Sequence, residues 1–332
     1  MDFSQLAALA GGHAEARAIQ TALKLGLFES VAHGRCDADA LAASLKADRR
    51  AVGVLADALT ALDLLAKTGK QYDLADIARR FLIKSSAEYL GDLILFDEAL
   101  FETWAHLEQT IRTGAPARTP DMFQVKPDET ERFIRAMDSL TRARGDATYV
   151  AERLDLSEFP IIADLGGGPG TYVAAMLRRW PHLRAAIFDL PATLEVARQI
   201  IAEREPDLAP RIDLIPLNYR KVELPGRCSA IFMSNIIHSE DEATNADLMR
   251  KCFRALNSGG IAVVKDHIMN EELTEPKAGA IFSLYLLLTT RGRDYSFSEV
   301  SGWLRGAGFI DIRLESLPSP PFTSSMVIAR KP

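Results

Sequence analysis

The chain has 332 residues, a length that leaves room for two domains. Of these residues 48% are apolar and 25% are charged, a composition that excludes an intrinsically disordered protein. The net charge of −6 argues against a general nucleic-acid binder, and no apolar run approaches the roughly 20 residues that span a membrane. Three widely spaced cysteines, and an N-terminus without the features of a signal peptide, favour a reducing, cytoplasmic location without disulfides or a zinc finger.

The first 90 residues predict short helices followed by a β-hairpin. Asp48 is a good N-cap for a helix whose apolar residues recur at intervals of three and four from Val52 to Leu62, and a Gly-containing turn divides two apolar runs in residues 64–74. This order suggests a winged helix, a shape that often binds DNA. However, residues 1–90 hold eleven Lys/Arg and eleven Asp/Glu, which sum to zero, whereas a DNA-binding module normally has a basic excess. We therefore interpret residues 1–90 as a packing or dimerisation module.

A helical linker is predicted for residues 91–155. An apolar stripe predicts one helix over residues 90–112, and a second helix is expected over residues 129–154. Three prolines predict a loop between them, at residues 115–128.

From residue 161 the pattern changes to short apolar runs that alternate with helical periods, which is typical of a parallel α/β sheet. The predicted strands are residues 161–165, 185–188, 212–216, 230–234 and 261–265, followed by two late strands at 310–315 and 324–329. The helices between them are predicted at residues 171–180, 192–203 and 243–256, and a capping box from Ser296 to Glu299 predicts one more. The sequence thus predicts an α/β domain over residues 156–332.

A glycine-rich loop, residues 164–170, directly follows the first strand of this domain. Its glycines would let a ligand lie against bare peptide, although a tight turn with no ligand is the simpler alternative. Asp189 ends the second strand 23 residues after Gly166, where a doubly wound sheet places a carboxylate on ribose hydroxyls. Pro169 removes one amide donor at the start of the next helix, which favours a cofactor without a diphosphate.

The glycine loop, the motif Phe188-Asp189-Leu190-Pro191 and the pair Ile237-His238 together resemble the S-adenosylmethionine-dependent O-methyltransferases of the plant caffeate and bacterial polyketide type. The similarity covers nearly the whole chain, because residues 25–28 resemble the start of that family's dimerisation domain and residues 104–114 its linker helix. The resemblance implies a Rossmann-like class I methyltransferase domain, an N-terminal winged-helix dimerisation domain and a homodimer.

The same resemblance implies S-adenosylmethionine as the cofactor, with its methionine part on the glycine loop and its ribose on the acid after the second strand. The cofactor-binding residues it implies are Gly166, Gly168, Asp189, Leu190, Asn218, Tyr219 and Ser234. Asn218 departs from the family, which has an acid at that position beside adenine.

His238 follows the strand predicted at residues 230–234, whose C-terminal end faces the crevice where such sheets bind ligands. An imidazole there could take the proton from a phenol, although its position alone is equally compatible with a structural loop histidine. The resemblance implies that His238 is the base and that Asp266 and Asp294 orient it. At the position after His238, this chain has Ser239, where the family usually has an aspartate.

Two further groups of residues are candidates for the site. His267 adjoins Asp266, and two histidines with an acid could form an open iron site, but nothing in the spacing brings His238, His267 and Asp266 to one centre, so we predict no metal. Apolar residues should shape the acceptor pocket, although ordinary core packing is an alternative for each of them. The predicted pocket residues are Phe101, Trp104, Phe282, Tyr285, Leu286 and Thr289.

We therefore predict an enzyme that moves the methyl group of S-adenosylmethionine to a hydroxyl of a small aromatic acceptor, as a homodimer with no nucleic-acid or membrane partner. Two alternatives stay open at this point. The chain could methylate a carbon atom or catalyse another reaction on the same scaffold, since a fold does not fix the chemistry. It could also be a regulator that binds the cofactor or a related ligand without catalysis.

Overall fold

A computed structural model describes residues 1–118, 123–226, 228–317 and 323–332. The chain forms two compact units, Met1–Leu100 and Phe101–Pro332. The finer division predicted from the sequence, into residues 1–90, 91–155 and 156–332, stays a prediction. Within the described ranges, no helix is long and apolar enough to cross a membrane.

The first unit contains the predicted helices and hairpin. Its helices are α1 (Phe3–Leu25), α2 (Leu27–Ala32), α3 (Ala38–Leu45), α4 (Arg49–Ala61), α5 (Asp76–Phe81) and α6 (Gly91–Ala99). Strands β1 (Leu65–Thr68) and β2 (Gln71–Leu74) pair antiparallel between α4 and α5. Asp48 caps α4 as predicted, because its carboxylate accepts a hydrogen bond from the Ala51 amide.

Both predicted linker helices are interrupted, so the prediction of two continuous helices is wrong. Residues 90–112 form α6 and the shorter helices α7 (Phe101–Trp104) and α8 (Leu107–Thr113). The second predicted helix is divided into α9 (Pro127–Arg144) and α10 (Asp146–Arg153) by Gly145, whose positive φ of 75° ends α9. A left-handed glycine is a common helix terminator, and the apolar period of the sequence continues past it.

The second unit is built on a seven-stranded sheet among its described residues, with strand order β5-β4-β3-β6-β7-β9-β8. The strands are β3 (Ile161–Leu165), β4 (Arg184–Asp189), β5 (Ile212–Pro216), β6 (Cys228–Ser234), β7 (Leu256–Asp266), β8 (Ile310–Ser316) and β9 (Ser325–Arg330). Strands β3 to β7 are parallel, and β9 pairs antiparallel with both β7 and β8. The predicted α/β domain is confirmed.

Helices cover both faces of this sheet. They include α11 (Thr171–Arg179), α12 (Pro191–Arg204), α13 (Glu242–Ala255) and α15 (Phe297–Ala307), which opens with the predicted capping box. Helix α14 (Lys277–Thr289) instead packs against α7, α8 and the turn after β6. Neighbouring residues of a strand point to opposite faces of the sheet, and each face has its own hydrophobic core. On β6, for example, Phe232 belongs to one core and Met233 to the other. Since the central strands are parallel, their C-terminal ends lie at one edge, where open α/β sheets bind ligands.

Candidate active site

The glycine loop leaves β3 at this edge and leads into α11. Gly166 and Gly168 have φ values of 68° and 52°, which L-residues with side chains rarely adopt. At Gly166, a Cβ atom would lie only 2.2 Å from Cδ1 of Ile236. The positive φ values favour glycine at both positions, and a side chain at residue 166 would also have to displace Ile236.

Asp189 ends the neighbouring strand β4 and closes one side of the loop. Its Oδ2 accepts a hydrogen bond from the Gly168 amide at 2.9 Å, and its Oδ1 accepts one from the Leu190 amide at 2.7 Å. Burial raises the pKa of Asp189 to about 6, although these two amides act in the opposite direction. The amides fix the orientation of the carboxylate and leave further lone pairs for donors from a ligand.

Asp164 is a buried acid that sequence reasoning did not single out. Burial, together with the nearby charge of Asp189, raises its pKa to about 8. Neither of its carboxyl oxygens has a hydrogen-bond partner among the described residues. The signal was present in the sequence, since an acid immediately before a glycine loop is unusual inside a strand that is otherwise apolar.

The other predicted cofactor contacts lie at the same edge. Asn218 and Tyr219 follow β5; the Asn218 side chain accepts a hydrogen bond from the Arg220 amide, and the Tyr219 hydroxyl donates to Glu240 at 2.6 Å. Ser234 ends β6 and is the register partner of Lys265 on β7. Tyr219 can therefore offer a ligand its ring but not its hydroxyl proton.

His238 lies in a short 3₁₀ turn directly after β6, and the structure brings it together with both predicted acids. Its Nδ1 is 2.7 Å from Oδ1 of Asp266, at the end of β7, and 3.9 Å from Oδ1 of Asp294, in the segment between α14 and α15. All three side chains are buried. A histidine with one nitrogen on a carboxylate has a fixed tautomer, which leaves Nε2 as the nitrogen that can accept a proton.

The charges in this cluster are strongly coupled. Burial by itself would lower the pKa of His238, but the charge and hydrogen bond of Asp266, and then the charge of Asp294, raise it above its usual value. Burial would raise the pKa of Asp266, yet its contact with His238 holds that pKa below the usual range. For Asp294, burial and the charge of Asp266 prevail and raise the pKa.

The predicted absence of a metal can be compared with the geometry. Among the described residues, one possible ligand atom from each of His238, Asp266 and Asp294 lies within 4.8 Å of the other two. The iron-site alternative required His238, His267 and Asp266. The group that the structure brings together contains Asp294 in place of His267. Nδ1 of His238 and Oδ1 of Asp266 lie 2.7 Å apart, which is a hydrogen-bond distance.

The predicted pocket residues divide into two groups. Phe282 packs edge-on against His238, with ring centroids 5.2 Å apart, and stacks on Tyr285, whose ring lies 6.3 Å from that of Trp104. These three rings form an aromatic surface beside the cluster. Leu286 and Thr289 are instead buried in packing contacts of α14, and Phe101 is half-exposed on α7.

Comparisons with known proteins identify the family of this chain. The fold is a Rossmann-like domain preceded by a helical N-terminal unit. An O-methyltransferase domain model matches residues 104–310, and an O-methyltransferase dimerisation domain model matches residues 7–84. The chain therefore belongs to the O-methyltransferase family, and the resemblance predicted from the sequence is confirmed.

Individual relatives agree with this membership. The chain is 30% identical over 320 residues to 3-hydroxy-5-methyl-1-naphthoate 3-O-methyltransferase of Streptomyces sahachiroi, covering 94% of this chain and 91% of that protein. It is 27% identical to acetylserotonin O-methyltransferase of Bos taurus, covering 99% and 98%. A crystal structure of human N-acetylserotonin methyltransferase in complex with SAM superposes with a TM-score of 0.88 at 22% identity, covering 100% of this chain and 98% of that chain. At that identity, the superposition shows the fold alone.

Proposed function

We propose that this protein transfers the methyl group of S-adenosylmethionine to a hydroxyl of a small aromatic acceptor, with His238 as the general base. The observation that carries the proposal is the buried contact of 2.7 Å between His238 and Asp266 at the ligand-binding edge of the sheet. Two relatives support an aromatic acceptor, because their names specify a hydroxynaphthoate and acetylserotonin as what they act on.

The residues at the edge of the sheet fit the cofactor. Gly166 and Gly168 would present bare peptide to its methionine part, while Asp189 would accept hydrogen bonds from both ribose hydroxyls and Ser234 would line the other side. The carboxyl group of Asp164, which has no hydrogen-bond partner among the described residues, is a further buried polar group beside the loop. When bound, the cofactor supplies a methyl group attached to a positively charged sulfur. The carbon of that methyl group is the electrophile of the reaction.

The chain's own residues would then manage the proton. When the acceptor oxygen receives the methyl group that the sulfonium supplies, the cofactor would leave as a neutral thioether, and Nε2 of His238 would accept the acceptor's hydroxyl proton. Asp266, on Nδ1, would orient the ring and stabilise the imidazolium. Phe282 and Tyr285 would hold a planar acceptor and exclude water from the cluster.

Product analysis tests this function. Incubation with S-adenosylmethionine carrying a ¹³C-labelled methyl group, and with a panel of hydroxynaphthoates, indoles and polycyclic phenols, should yield a product with the label in an aryl methyl ether. Carbon-13 NMR separates a methyl group on oxygen from one on carbon by its chemical shift. Labelled carbon–carbon bonds, or no binding of S-adenosylhomocysteine in calorimetry, would contradict the proposal.

The same proposal includes a homodimer. A dimerisation domain model covers residues 7–84, and helix α1 exposes apolar side chains at intervals of three residues, with Phe3 85%, Leu6 56% and Leu9 59% exposed. An exposed apolar stripe of this kind favours association with a second copy.

A further inference from the structure

A second histidine belongs to the buried cluster, and the function proposed above gives it no role. His267 follows Asp266 and is buried. Its Nδ1 lies 3.4 Å from Oδ2 of Asp294, on the side of that carboxylate opposite His238, and its Nε2 lies 2.9 Å from the hydroxyl of Thr323. The backbone amide of His267 also donates to Oδ1 of Asp266 at 2.9 Å. His267 therefore contacts both acids of the cluster.

The packing around His267 holds its ring in place. Phe282 meets the imidazole edge-on, with centroids 5.3 Å apart and planes at 88°, and makes a matching contact with His238. At Gly279, on the same helix α14, a Cβ would lie 2.5 Å from Sδ of Met269, 3.2 Å from Cβ of His267 and 3.3 Å from Oδ2 of Asp294. The absence of a side chain at this position thus lets the helix approach this part of the cluster closely.

The partners of the two ring nitrogens of His267 indicate which tautomer the ring can adopt. A hydroxyl can donate to Nε2, so Thr323 permits the tautomer whose hydrogen is on Nδ1. That nitrogen lies 3.4 Å from Oδ2 of Asp294, close enough for an electrostatic contact, although it makes no hydrogen bond of ordinary geometry among the described residues. On the same oxygen of Asp294, Ser283 offers its hydroxyl at 3.4 Å. The other oxygen, Oδ1, has no hydrogen-bond partner among the described residues and lies 3.9 Å from Nδ1 of His238.

Two carboxylates in one buried cluster repel each other. Burial and the charge of Asp266 raise the pKa of Asp294, whereas His267 and His238 act to lower it. Lys265, on β7, is the other charged group that acts on His238 from the elements packed around it. Without His267, Asp294 would more readily take up a proton, and His238 would lose part of the negative charge that supports its imidazolium form.

We propose that His267 is a positioning residue that holds Asp294 ionised and directed toward His238. The reaction would then use two linked pairs, His238 with Asp266 and His267 with Asp294, of which only His238 reaches the acceptor. This inference rests on the proposed role of His238 as the base.

The test is the pH dependence of kcat in His267→Leu. We expect kcat to fall about tenfold, which is within the usual coupling between residues in contact, and the acid limb of the profile to move to lower pH. The KM for S-adenosylmethionine should be unchanged, because the contacts of His267 described above involve none of the residues proposed to hold the cofactor. His267→Gln keeps a polar group at this position. It is the second variant to use if His267→Leu unfolds at a lower temperature than the natural chain. His33→Gln removes an exposed histidine from the first unit and is the matched control.

Double substitution separates this role from simple packing. In an Asp294→Asn background, His267→Leu should cause little further loss, because the partner through which it acts is already changed. The inference is overturned if His267→Leu and His267→Gln keep both the kcat and the acid limb of the natural chain. It is also overturned if the fold decrease of kcat in the double variant equals the product of the decreases in the two single variants. Retained turnover in His238→Ala would instead overturn the proposed function, so the two failures can be distinguished.

Discussion

At the level of single residues, the proposed base His238 can accept a proton only while its ring is neutral. Asp266 and Asp294 raise the pKa of this buried imidazole above 6.5 despite its burial. Below the raised pKa the ring is an imidazolium and cannot accept a proton, so kcat/KM should fall as the pH drops through that value. In Asp266→Asn the acid limb should move to lower pH. A steady-state pH profile measures both, and an acid limb that stays in place in the variant would contradict the coupling.

Asp189 is the residue on which cofactor binding should depend most. Its carboxylate is held by the amides of Gly168 and Leu190, and the two ribose hydrogen bonds proposed for it are each worth about 1.5–3 kcal/mol. Asp189→Ala should therefore weaken S-adenosylhomocysteine binding at least tenfold in calorimetry. Asp213→Ala, which removes an exposed acid from β5, is the control and should bind normally. Equal affinities of the two variants would remove Asp189 from the site.

At the level of elements, strand β7 has an unusual feature one residue before Asp266. Lys265 is fully buried, and its Nζ forms an ion pair at 3.1 Å with Asp146, at the start of α10. The Tyr172 hydroxyl, from α11, donates to the same carboxylate oxygen. This buried pair joins the strand that holds a proposed site residue to two helices.

Removing one partner of this pair should cost far more stability than removing a surface charge. Lys265→Met removes the nearer cation of the buried Asp146 and leaves only Arg144, at 3.9 Å, among its described ion-pair partners. We therefore expect the free energy of unfolding to fall by about 3–5 kcal/mol. Arg184→Met breaks an exposed pair with Asp213 and should cost less than about 1 kcal/mol. Urea unfolding of the two variants measures the difference. Similar losses in both would mean that the buried pair contributes no more than a surface one.

The elements also show which features are readable from the sequence. Strands β3 to β7, the glycine loop and Asp189 follow from local periodicity and spacing, and the family resemblance supplied His238, Asp266 and Asp294 as a group. The breaks at α6–α7 and α7–α8 were missed because no proline or glycine marks them and the apolar period continues. The pairing of Lys265 with Asp146 was missed because it joins distant parts of the chain, and only the packed fold brings them together.

At the level of the whole molecule, the proposed homodimer is the next claim to test. The exposed apolar side chains of α1 should be covered in the assembly, so light scattering at micromolar concentration should give twice the mass of the chain. A chain with both Leu6→Asp and Leu9→Asp should have a smaller mass, because charges are costly in an apolar interface. A stable, folded monomer of the unsubstituted chain at that concentration would contradict the proposal.

The most direct test of the enzymatic account is the turnover of His238→Ala at saturating acceptor and cofactor. If His238 accepts the hydroxyl proton, kcat should fall by about 10²–10⁴-fold, the usual contribution of a general base. S-Adenosylhomocysteine affinity should barely change, since the imidazole is proposed to face the acceptor. A His238→Ala variant with near-normal kcat would contradict the account and would indicate either an acceptor that is already ionised or methyl transfer to carbon.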